Sequence, residues 1–294
     1  MDDTKKWFEA VFNEECQLNS FLLRFPRPEL FSESPWFTPT LFILYRLVIA
    51  SCCVIFAAES ILNNPSYRWL LQFDNWSISS ACLHFILNTG LLFHSQIETW
   101  RENRRKKREI EETKHVKQYE KIYWAEDRIT ESDEEFLWPW EEGHAVELQE
   151  DRLSYYHKTL WLLQSIAGNS ILVVTVCYVI LEDHIKAKVL ATYLSLTVFL
   201  LADAILSFTP IRLLHFVYSY LFTLLYVLII TVYYFAKRTH QTSTLPSFVN
   251  RIIQDPFQAM LVILVLIIGQ PLFQTLYFCV HKLNTFIYIK WYSY

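Results

Sequence analysis

The chain has 294 residues, 53% of them hydrophobic, and a formal net charge of −4. Its four glycines lie at positions 90, 143, 168 and 269, a spacing that excludes glycine-rich phosphate loops and dinucleotide-binding fingerprints. Its nine histidines are at least ten residues apart, which excludes the HExxH zinc motif and the paired histidines of membrane di-iron enzymes. No cofactor or metal site is predicted, and the acidic balance gives no support to nucleic-acid binding.

Six segments of the sequence are long and apolar enough to cross a membrane. About 20 helical residues cross roughly 30 Å of hydrocarbon, and backbone groups in lipid must form their hydrogen bonds internally. The segments are 41–61, 76–95, 159–181, 189–208, 213–236 and 257–280. We therefore predict an all-α fold, a polytopic membrane bundle of about six transmembrane helices.

The spans divide the chain into membrane parts and polar segments. In chain order these are 1–40 (the N-terminal segment), 41–95 (the first two spans), 96–156 (a charged loop), 157–282 (the last four spans) and 283–294 (an aromatic tail). Six spans put both termini on one side, which carries 19 lysines and arginines against 6 on the other side, leaving out Arg46. By the positive-inside rule we predict cytoplasmic termini, in the plasma membrane or the endoplasmic reticulum.

The first and fourth spans each contain a buried charge. Arg46 lies about one and a half turns from the predicted cytoplasmic end of its span, and Asp203 lies about as far from the same end of its own. At about 1.5 Å of rise per residue, both are roughly 8 Å deep. Charges in a bilayer are costly unless they are paired, so equal depth and opposite sign predict a structural ion pair between the two helices. A functional carboxylate at Asp203 is the alternative.

A carboxylate stands at the mouth of the second span. Asp74 precedes Trp76 by two residues, on the predicted lumenal or extracellular side. There it can cap the helix by accepting hydrogen bonds from the backbone N–H groups of Trp76 or Ser77, beside the positive end of the helix dipole. The tripeptide Asn75-Trp76-Ser77 is a glycosylation sequon, but we expect it to lie too close to the bilayer to be modified.

Polar residues recur at helical spacing in three spans, which indicates a polar interior. They are Ser80, His84 and Asn88 in the second span, Ser165 and Asn169 in the third, and Gln270 and Gln274 in the sixth. Residues spaced by four share one helix face, and polar side chains on such a face form hydrogen bonds between transmembrane helices. The alternative is a small cavity for a lipid head group, an ester or an ion.

The loop 96–156 separates its charges along the chain. RENRRKKR at 101–108 is basic and lies directly beside the second span, whereas 125–151 contains eleven acidic residues. We assign a lipid-surface role to the five consecutive basic residues Arg104, Arg105, Lys106, Lys107 and Arg108, because such clusters attract anionic lipid. A purely topogenic cluster is the alternative. Trp138-Pro139-Trp140 in the acidic part could contact the membrane interface or a protein partner.

Several features of the spans occur together in a known order. They are Tyr45-Arg46, FDNWS at the mouth of the second span, an acidic residue late in the fourth, and the runs TPIRLLHFVYSYLFTLLYVLIITVYYF and IIQDPFQAMLVILVLIIGQPLFQTLYF. In order and spacing they resemble the rolling stone proteins over roughly residues 35–282, apart from the loop 96–156. The resemblance implies a multi-pass membrane protein of a family that is linked in insects to myoblast fusion. That family is distantly related to the androgen-induced and androgen-dependent membrane hydrolases.

The resemblance also implies where catalytic residues would stand. The hydrolase relatives cleave fatty acid esters of hydroxy fatty acids with a threonine at the mouth of the second span and a histidine early in the fourth. Those positions match Asp74 and Tyr193, so this chain departs from the hydrolase pattern at both. A carboxylate can be a nucleophile, but tyrosine, whose pKa is ordinarily about 10, is a poor general base near neutral pH.

Two main hypotheses follow, both with membrane lipids as partners. The first is a non-catalytic membrane protein acting in membrane or cell-surface processes such as cell fusion or lipid organisation. The alternative is an intramembrane hydrolase of fatty acid esters of hydroxy fatty acids, with Asp74, Tyr193 and His84 as candidate catalytic residues. A small transporter or channel is a third interpretation, which lacks the glycine and proline breaks of discontinuous helices.

Overall fold

The structure, a computed structural model, describes residues 15, 21–23, 25, 28–63, 67–123, 153–181, 186–238 and 255–292. The described residues are helical or in connections, and they contain no β-strand. The main helices are α1 (Pro39–Asn63), α2 (Phe73–Tyr123), α3 (Tyr155–Leu181), α4 (Ala187–Leu206), α5 (Phe216–Arg238), α6 (Pro256–Leu264) and α7 (Gln270–Tyr292). Six helical stretches are long and apolar enough to cross a membrane, with α6 and α7 forming one of them. The predicted all-α membrane bundle is therefore confirmed.

Prolines and one acidic cap mark several of the helix boundaries. α1 and α6 begin with Pro39 and Pro256, because the first position of a helix does not need its N–H and the proline ring presets the backbone. The Asp255 carboxylate caps α6 by accepting from the backbone N–H of Phe257 at 2.9 Å. Pro210 lies in the connection between α4 and α5, where a short 3₁₀ turn at Leu213–His215 leads into α5.

α3 is the central helix of the bundle, since it contacts α2, α4, α5 and α7. α1 packs mainly against α2. The core between these helices combines small and branched side chains with a few aromatic rings, and Cys53, Ala81, Phe85 and Leu196 are completely buried. Gly168 shows how closely α3 and α7 approach, because a Cβ atom there would lie 3.1 Å from the ring of Tyr277. Small residues at such contacts let transmembrane helices pack without a hydrophobic driving force.

α2 is much longer than the predicted second span, which ended at residue 95. The helix continues to Tyr123, so the first part of the predicted loop 96–156 is helical and the basic block 101–108 is presented on a helix. At about 1.5 Å per residue this extension is about 40 Å long. Its glutamate, lysine and arginine residues are good helix formers, and Lys106 pairs with Glu102 at 3.1 Å across one turn. Trp138-Pro139-Trp140 lies outside the described residues.

The segments predicted to flank the bundle pack against it. Phe31, in a 3₁₀ turn at Pro28–Ser32, is buried and meets Trp161 edge to face at 5.8 Å. The predicted tail 283–294 begins as part of α7, which runs on to Tyr292. Asn284 ties this stretch to the bundle, because its Nδ2 donates to the carbonyl of Ile205 at 2.5 Å and its Oδ1 accepts from Trp36 Nε1 at 2.9 Å.

The sixth span contains a π-helical turn, Val265–Gly269, between α6 and α7. A π turn shifts the backbone register, and the freed carbonyls need another donor. The Tyr220 hydroxyl of α5 donates to the carbonyl of Ile267 within this turn. The irregularity therefore makes a direct contact between α5 and the sixth span.

Candidate functional site

The mouth of the bundle brings together the two positions that the resemblance singled out. Asp74 lies in the first turn of α2 and is half-buried, and Tyr193 lies in the second turn of α4 and is buried. The Tyr193 hydroxyl donates to Asp74 Oδ2 at 2.8 Å. The ring of Tyr178 meets that of Tyr193 edge to face at 5.5 Å and holds it in place. We call Asp74 and Tyr193 the mouth pair.

The structure corrects the expected capping role of Asp74. The sequence placed Asp74 before the helix, accepting from Trp76 or Ser77. α2 instead begins at Phe73, so Asp74 is already inside the first turn, and its carboxylate bonds the backbone at Asp74 and Asn75. An acidic residue in the first turn is still favourable next to the positive end of the helix dipole. Asp74 therefore bonds both its own helix and α4.

Asn75, the sequon asparagine, is committed to the inside of the bundle. It is 2% exposed, and its Nδ2 donates to the carbonyl of Trp69 at 2.9 Å and to Gln72 Oε1 at 2.8 Å. Its Oδ1 accepts from the Ser60 hydroxyl, which joins α2 to α1. Both amide hydrogens are used, so burial and these hydrogen bonds keep the side chain out of reach of a modifying enzyme.

A second polar site lies inside the bundle, formed by Arg46 of α1, His84 of α2 and Asp203 of α4. Arg46 Nη2 is 2.8 Å from Asp203 Oδ1, and His84 Nε2 is 3.5 Å from Asp203 Oδ2. All three side chains are at most 1% exposed. The structure thus brings together the two residues predicted as an ion pair and adds His84 to them. We call these three residues the ionic cluster.

His84 is separate from the mouth pair. It follows Asp74 by ten residues on the same helix, which corresponds to about 15 Å along the axis. Of the three candidate catalytic residues, the structure therefore joins Asp74 to Tyr193 and assigns His84 to the ionic cluster. In this arrangement His84 cannot exchange a proton with a substrate or a water at the mouth pair, because an acid or base must lie within hydrogen-bond reach of its partner.

The ionic cluster adjoins a small cavity whose walls are partly polar and partly apolar. Its lining includes Asp203, Gln164, Ser165, Gln274 and Tyr277, and its volume is about 20 Å³. Such a space holds about one water molecule. The Tyr277 hydroxyl and the Gln164 Oε1 atom are buried here without a hydrogen-bond partner among the described residues. In size this cavity matches one water molecule, for which the polar side chains in its wall provide partners, and it is too small for a lipid head group.

A third polar group joins α3, α5 and α7 through uncharged side chains. Asn169 Nδ2 donates to Gln274 Oε1 at 2.8 Å and to Ser219 Oγ at 3.0 Å. The Ser219 hydroxyl donates to the carbonyl of Ser165 at 2.9 Å. Gln270 Nε2 donates to Thr223 Oγ1 at 2.8 Å. The polar stripes of the third and sixth spans therefore form interhelical hydrogen bonds. We call this group the amide network; its members are Ser165, Asn169, Ser219, Thr223, Gln270 and Gln274.

The basic block of α2 is exposed to the surroundings throughout, from Arg101 to Arg108. The guanidinium of Arg104 lies over the ring of Trp100 at 3.7 Å from its centre. Among the residues that the structure describes, no three His, Cys, Asp or Glu side chains come close enough to hold a metal ion.

Sequence reasoning missed two partners of the predicted sites. Tyr277, a lone tyrosine in an apolar span, lines the cavity beside Asp203. Glu59 near the end of α1 pairs with Lys188 at the start of α4, at the same mouth as Asp74. For the Glu59–Lys188 contact a signal was available, because the two residues have opposite charges and lie at span ends on the same side of the bundle. Nothing in the sequence indicated the first, since the rotation of α7 decides it.

Comparisons with known proteins give no match. No family model matches the chain, and neither the curated proteins nor the solved structures contain a significant relative. The likeness to rolling stone proteins therefore rests on the sequence features given above.

Proposed function

We propose that the chain is a non-catalytic integral membrane protein of rolling stone type, acting in membrane or cell-surface processes such as cell fusion or lipid organisation. The single observation that carries the proposal is the mouth pair. Tyr193 donates to Asp74 at 2.8 Å where the hydrolase relatives place a histidine and a threonine. A nucleophilic hydroxyl and the base that activates it are thus replaced by a carboxylate and a phenol.

The chemistry of the mouth pair supports a structural role. A hydroxyl or water nucleophile requires a base that accepts its proton. Here the phenol already donates its proton to the carboxylate, so the two groups satisfy each other and link α2 to α4. In the amide network, polar side chains likewise form hydrogen bonds between helices. Both features suit a rigid bundle that displays its outer surface and its polar segments to partners.

The alternative is an intramembrane hydrolase of fatty acid esters of hydroxy fatty acids. It is favoured by the proximity of the two positions that correspond to the family's catalytic pair, and by the partial exposure of Asp74. In this alternative an Asp74 carboxylate oxygen attacks the ester carbonyl, the C–O bond to the hydroxy fatty acid breaks, and that acid leaves with the proton of the Tyr193 hydroxyl. Water then hydrolyses the anhydride between Asp74 and the acyl group, which releases the fatty acid, restores the carboxylate and returns a proton to Tyr193.

The experiment that separates the two reconstitutes the purified protein in lipid and measures release of hydroxy fatty acid from branched fatty acid esters. Asp74→Asn is the test variant. Glu59→Gln is its matched control, because it removes a carboxylate at the same mouth, where Glu59 pairs with Lys188. We expect all three proteins to release no more acid than empty vesicles. Release by wild type and Glu59→Gln that disappears in Asp74→Asn would overturn the proposal and establish the hydrolase.

The proposal includes an orientation, with both termini and the basic block in the cytoplasm, and a location in the plasma membrane or endoplasmic reticulum. The excess of lysine and arginine on the terminal side supports it. A protein partner would bind the charged segment 96–156. Protease added to sealed microsomes should remove a C-terminal epitope tag without detergent. A tag that is protected until detergent is added would reverse the orientation.

A further inference from the structure

One face of α2 points away from the bundle from Leu83 to the end of the span. Leu83, Ile86, Phe93 and Ile97 lie on it and are between 42% and 47% exposed. The opposite face is buried, with Phe85 and Leu92 at most 1% exposed. In a membrane, a large apolar side chain exposed on a transmembrane helix faces lipid. These four residues therefore mark the lipid-facing stripe of α2.

The same face continues into the basic block. An α-helix turns by about 100° per residue, so positions three and four apart stay on one side. Arg101 follows Ile97 by four residues, and Arg104, Arg105 and Arg108 follow Arg101 by three, four and seven. All four arginines are exposed. They form a continuous arginine face, defined by Arg101, Arg104, Arg105 and Arg108, directly below the lipid-facing stripe.

The bundle-facing side of the same helix has a different charge pattern. His84, Asn88 and Leu91 are buried along it, and the Ser95 hydroxyl lies 3.2 Å from that of Ser32. Continuing the same spacing leads to Glu102 and Lys106. These two side chains form an ion pair at 3.1 Å, so their opposite charges cancel locally. The positive charge of the block is therefore concentrated on the side that faces lipid.

The arginine face begins in the head-group layer and continues beyond it. That layer is roughly 5–8 Å thick on each side of the hydrocarbon. Along the helix axis, Arg101 lies about 6 Å beyond Ile97, Arg104 and Arg105 lie about 10–12 Å beyond it, and Arg108 lies about 16 Å beyond it. Trp100, whose ring lies 3.7 Å from the Arg104 guanidinium, belongs to the residue type that concentrates at the membrane interface. Long arginine side chains can also reach back towards the interface.

We propose that the arginine face binds the phosphate groups of anionic phospholipids in the leaflet that adjoins it. Guanidinium groups suit this ligand, because they bond phosphate oxygens in a bidentate manner and stay charged. The lipids that touch the apolar stripe carry their head groups past the arginines. α2 thereby recruits a shell of anionic lipid to one side of the bundle. This goes beyond the proposed function and holds whether or not ester hydrolysis is found.

Two variants with the same charge change test the proposal. Arg104→Gln/Arg105→Gln removes two positive charges from the arginine face, and Lys106→Gln/Lys107→Gln removes two from the adjoining positions on other sides of the helix. All four side chains are exposed, and both variants should fold as wild type does. Binding is measured by native mass spectrometry of the full chain, titrated with phosphatidylserine or with phosphatidylcholine, and monodispersity is checked by size-exclusion chromatography.

We expect wild type to prefer phosphatidylserine, and the arginine variant to lose about 10- to 30-fold in apparent affinity against less than about threefold for the lysine variant. Equal losses in both variants would overturn the proposal, since binding would then follow net charge alone. Equal binding of the two lipids by wild type would overturn it as well. Displacement of bound phosphatidylserine by soluble glycerophosphoserine would show that the site takes a free anion and would also overturn it.

Discussion

The ionic cluster and the amide network are two polar regions of one bundle, and they differ in how their buried polar atoms are hydrogen-bonded. In the amide network, Asn169 bonds Gln274 at 2.8 Å and Ser219 at 3.0 Å with well-aligned geometry. In the ionic cluster, Arg46 approaches Asp203 to 2.8 Å, but neither charged group makes a well-directed hydrogen bond to the described protein atoms. In the amide network every donor nitrogen has a protein partner, although Asn169 Oδ1 and Gln270 Oε1 have none among the described residues. In the ionic cluster none of the charged side-chain atoms has one.

The difference indicates separate roles. Buried charges are far more expensive to desolvate than amides, and their mutual attraction offsets that cost only when further hydrogen bonds complete the site. The cavity of about 20 Å³ beside Asp203 provides room for about one water that can complete them. The amide network therefore holds α3, α5 and α7 together, while the ionic cluster mainly selects which helices pair, since a mismatched arrangement would leave a charge alone in lipid.

Breaking the ionic cluster should have the largest effect. Asp203→Leu leaves Arg46 buried without its counter-charge and should lower the free energy of unfolding by about 3–5 kcal/mol. The double variant Arg46→Met/Asp203→Leu removes both charges and should recover most of that loss. The measurement is reversible unfolding in bicelles by titration with dodecyl sulfate.

The exchange Arg46→Asp/Asp203→Arg is a stricter control, because it keeps both charges and reverses their positions. It should restore expression that either single exchange variant loses. Strictly additive losses in the two double variants would contradict a direct interaction between Arg46 and Asp203.

Breaking the amide network should have a smaller effect, which a double-mutant cycle can isolate. Asn169→Leu and Gln274→Leu should each lower the free energy of unfolding by about 1–2 kcal/mol, and their coupling should be about 0.6–1.7 kcal/mol. Asp255→Ala removes the cap of α6 and shares no partner with Asn169, so its combination with Asn169→Leu should be additive. A coupling as large as that of the ionic cluster would erase the distinction between the two regions.

The smallest change in the free energy of unfolding is expected from removing the hydroxyl group of either of two buried tyrosines. Tyr226 is 6% exposed and donates to the carbonyl of Leu71 at 2.8 Å, whereas Tyr277 is 5% exposed and has no partner among the described protein atoms. Tyr226→Phe should cost about 0.5–1.5 kcal/mol, and Tyr277→Phe should cost nothing or stabilise slightly. The same unfolding assay measures both. Equal losses would mean that water in the cavity already satisfies Tyr277 as well as protein satisfies Tyr226.

The second span shows how far hydropathy can locate a helix. Its apolar stretch ends at residue 95, and the sequence analysis placed the start of a loop there. α2 nevertheless runs to Tyr123, because the charged residues that follow are good helix formers and pair across turns. Hydropathy reports where the membrane ends, and helix propensity reports where the helix ends. The two boundaries coincide for α4, which ends at Leu206 close to Pro210.

The polar sites show a second limit. Equal depth and opposite charge were sufficient to predict that Arg46 and Asp203 pair, since depth follows directly from position along a span. The place of His84 beside Asp203, and of Tyr277 beside the cavity, could not be predicted in this way. Those contacts depend on how each helix is rotated about its axis and on which helices are neighbours.

The sequence by itself determined the number of spans, the helical fold and the polar faces, because each depends on transfer of side chains and backbone from water into lipid. Only the tertiary structure decided that Tyr193 bonds Asp74, that Asn75 turns inward to Ser60 and Gln72, and that the arginine face continues the lipid-facing stripe. These depend on the rotation and neighbours of the helices. Packing of many weak contacts sets both, and no single stretch of sequence encodes them.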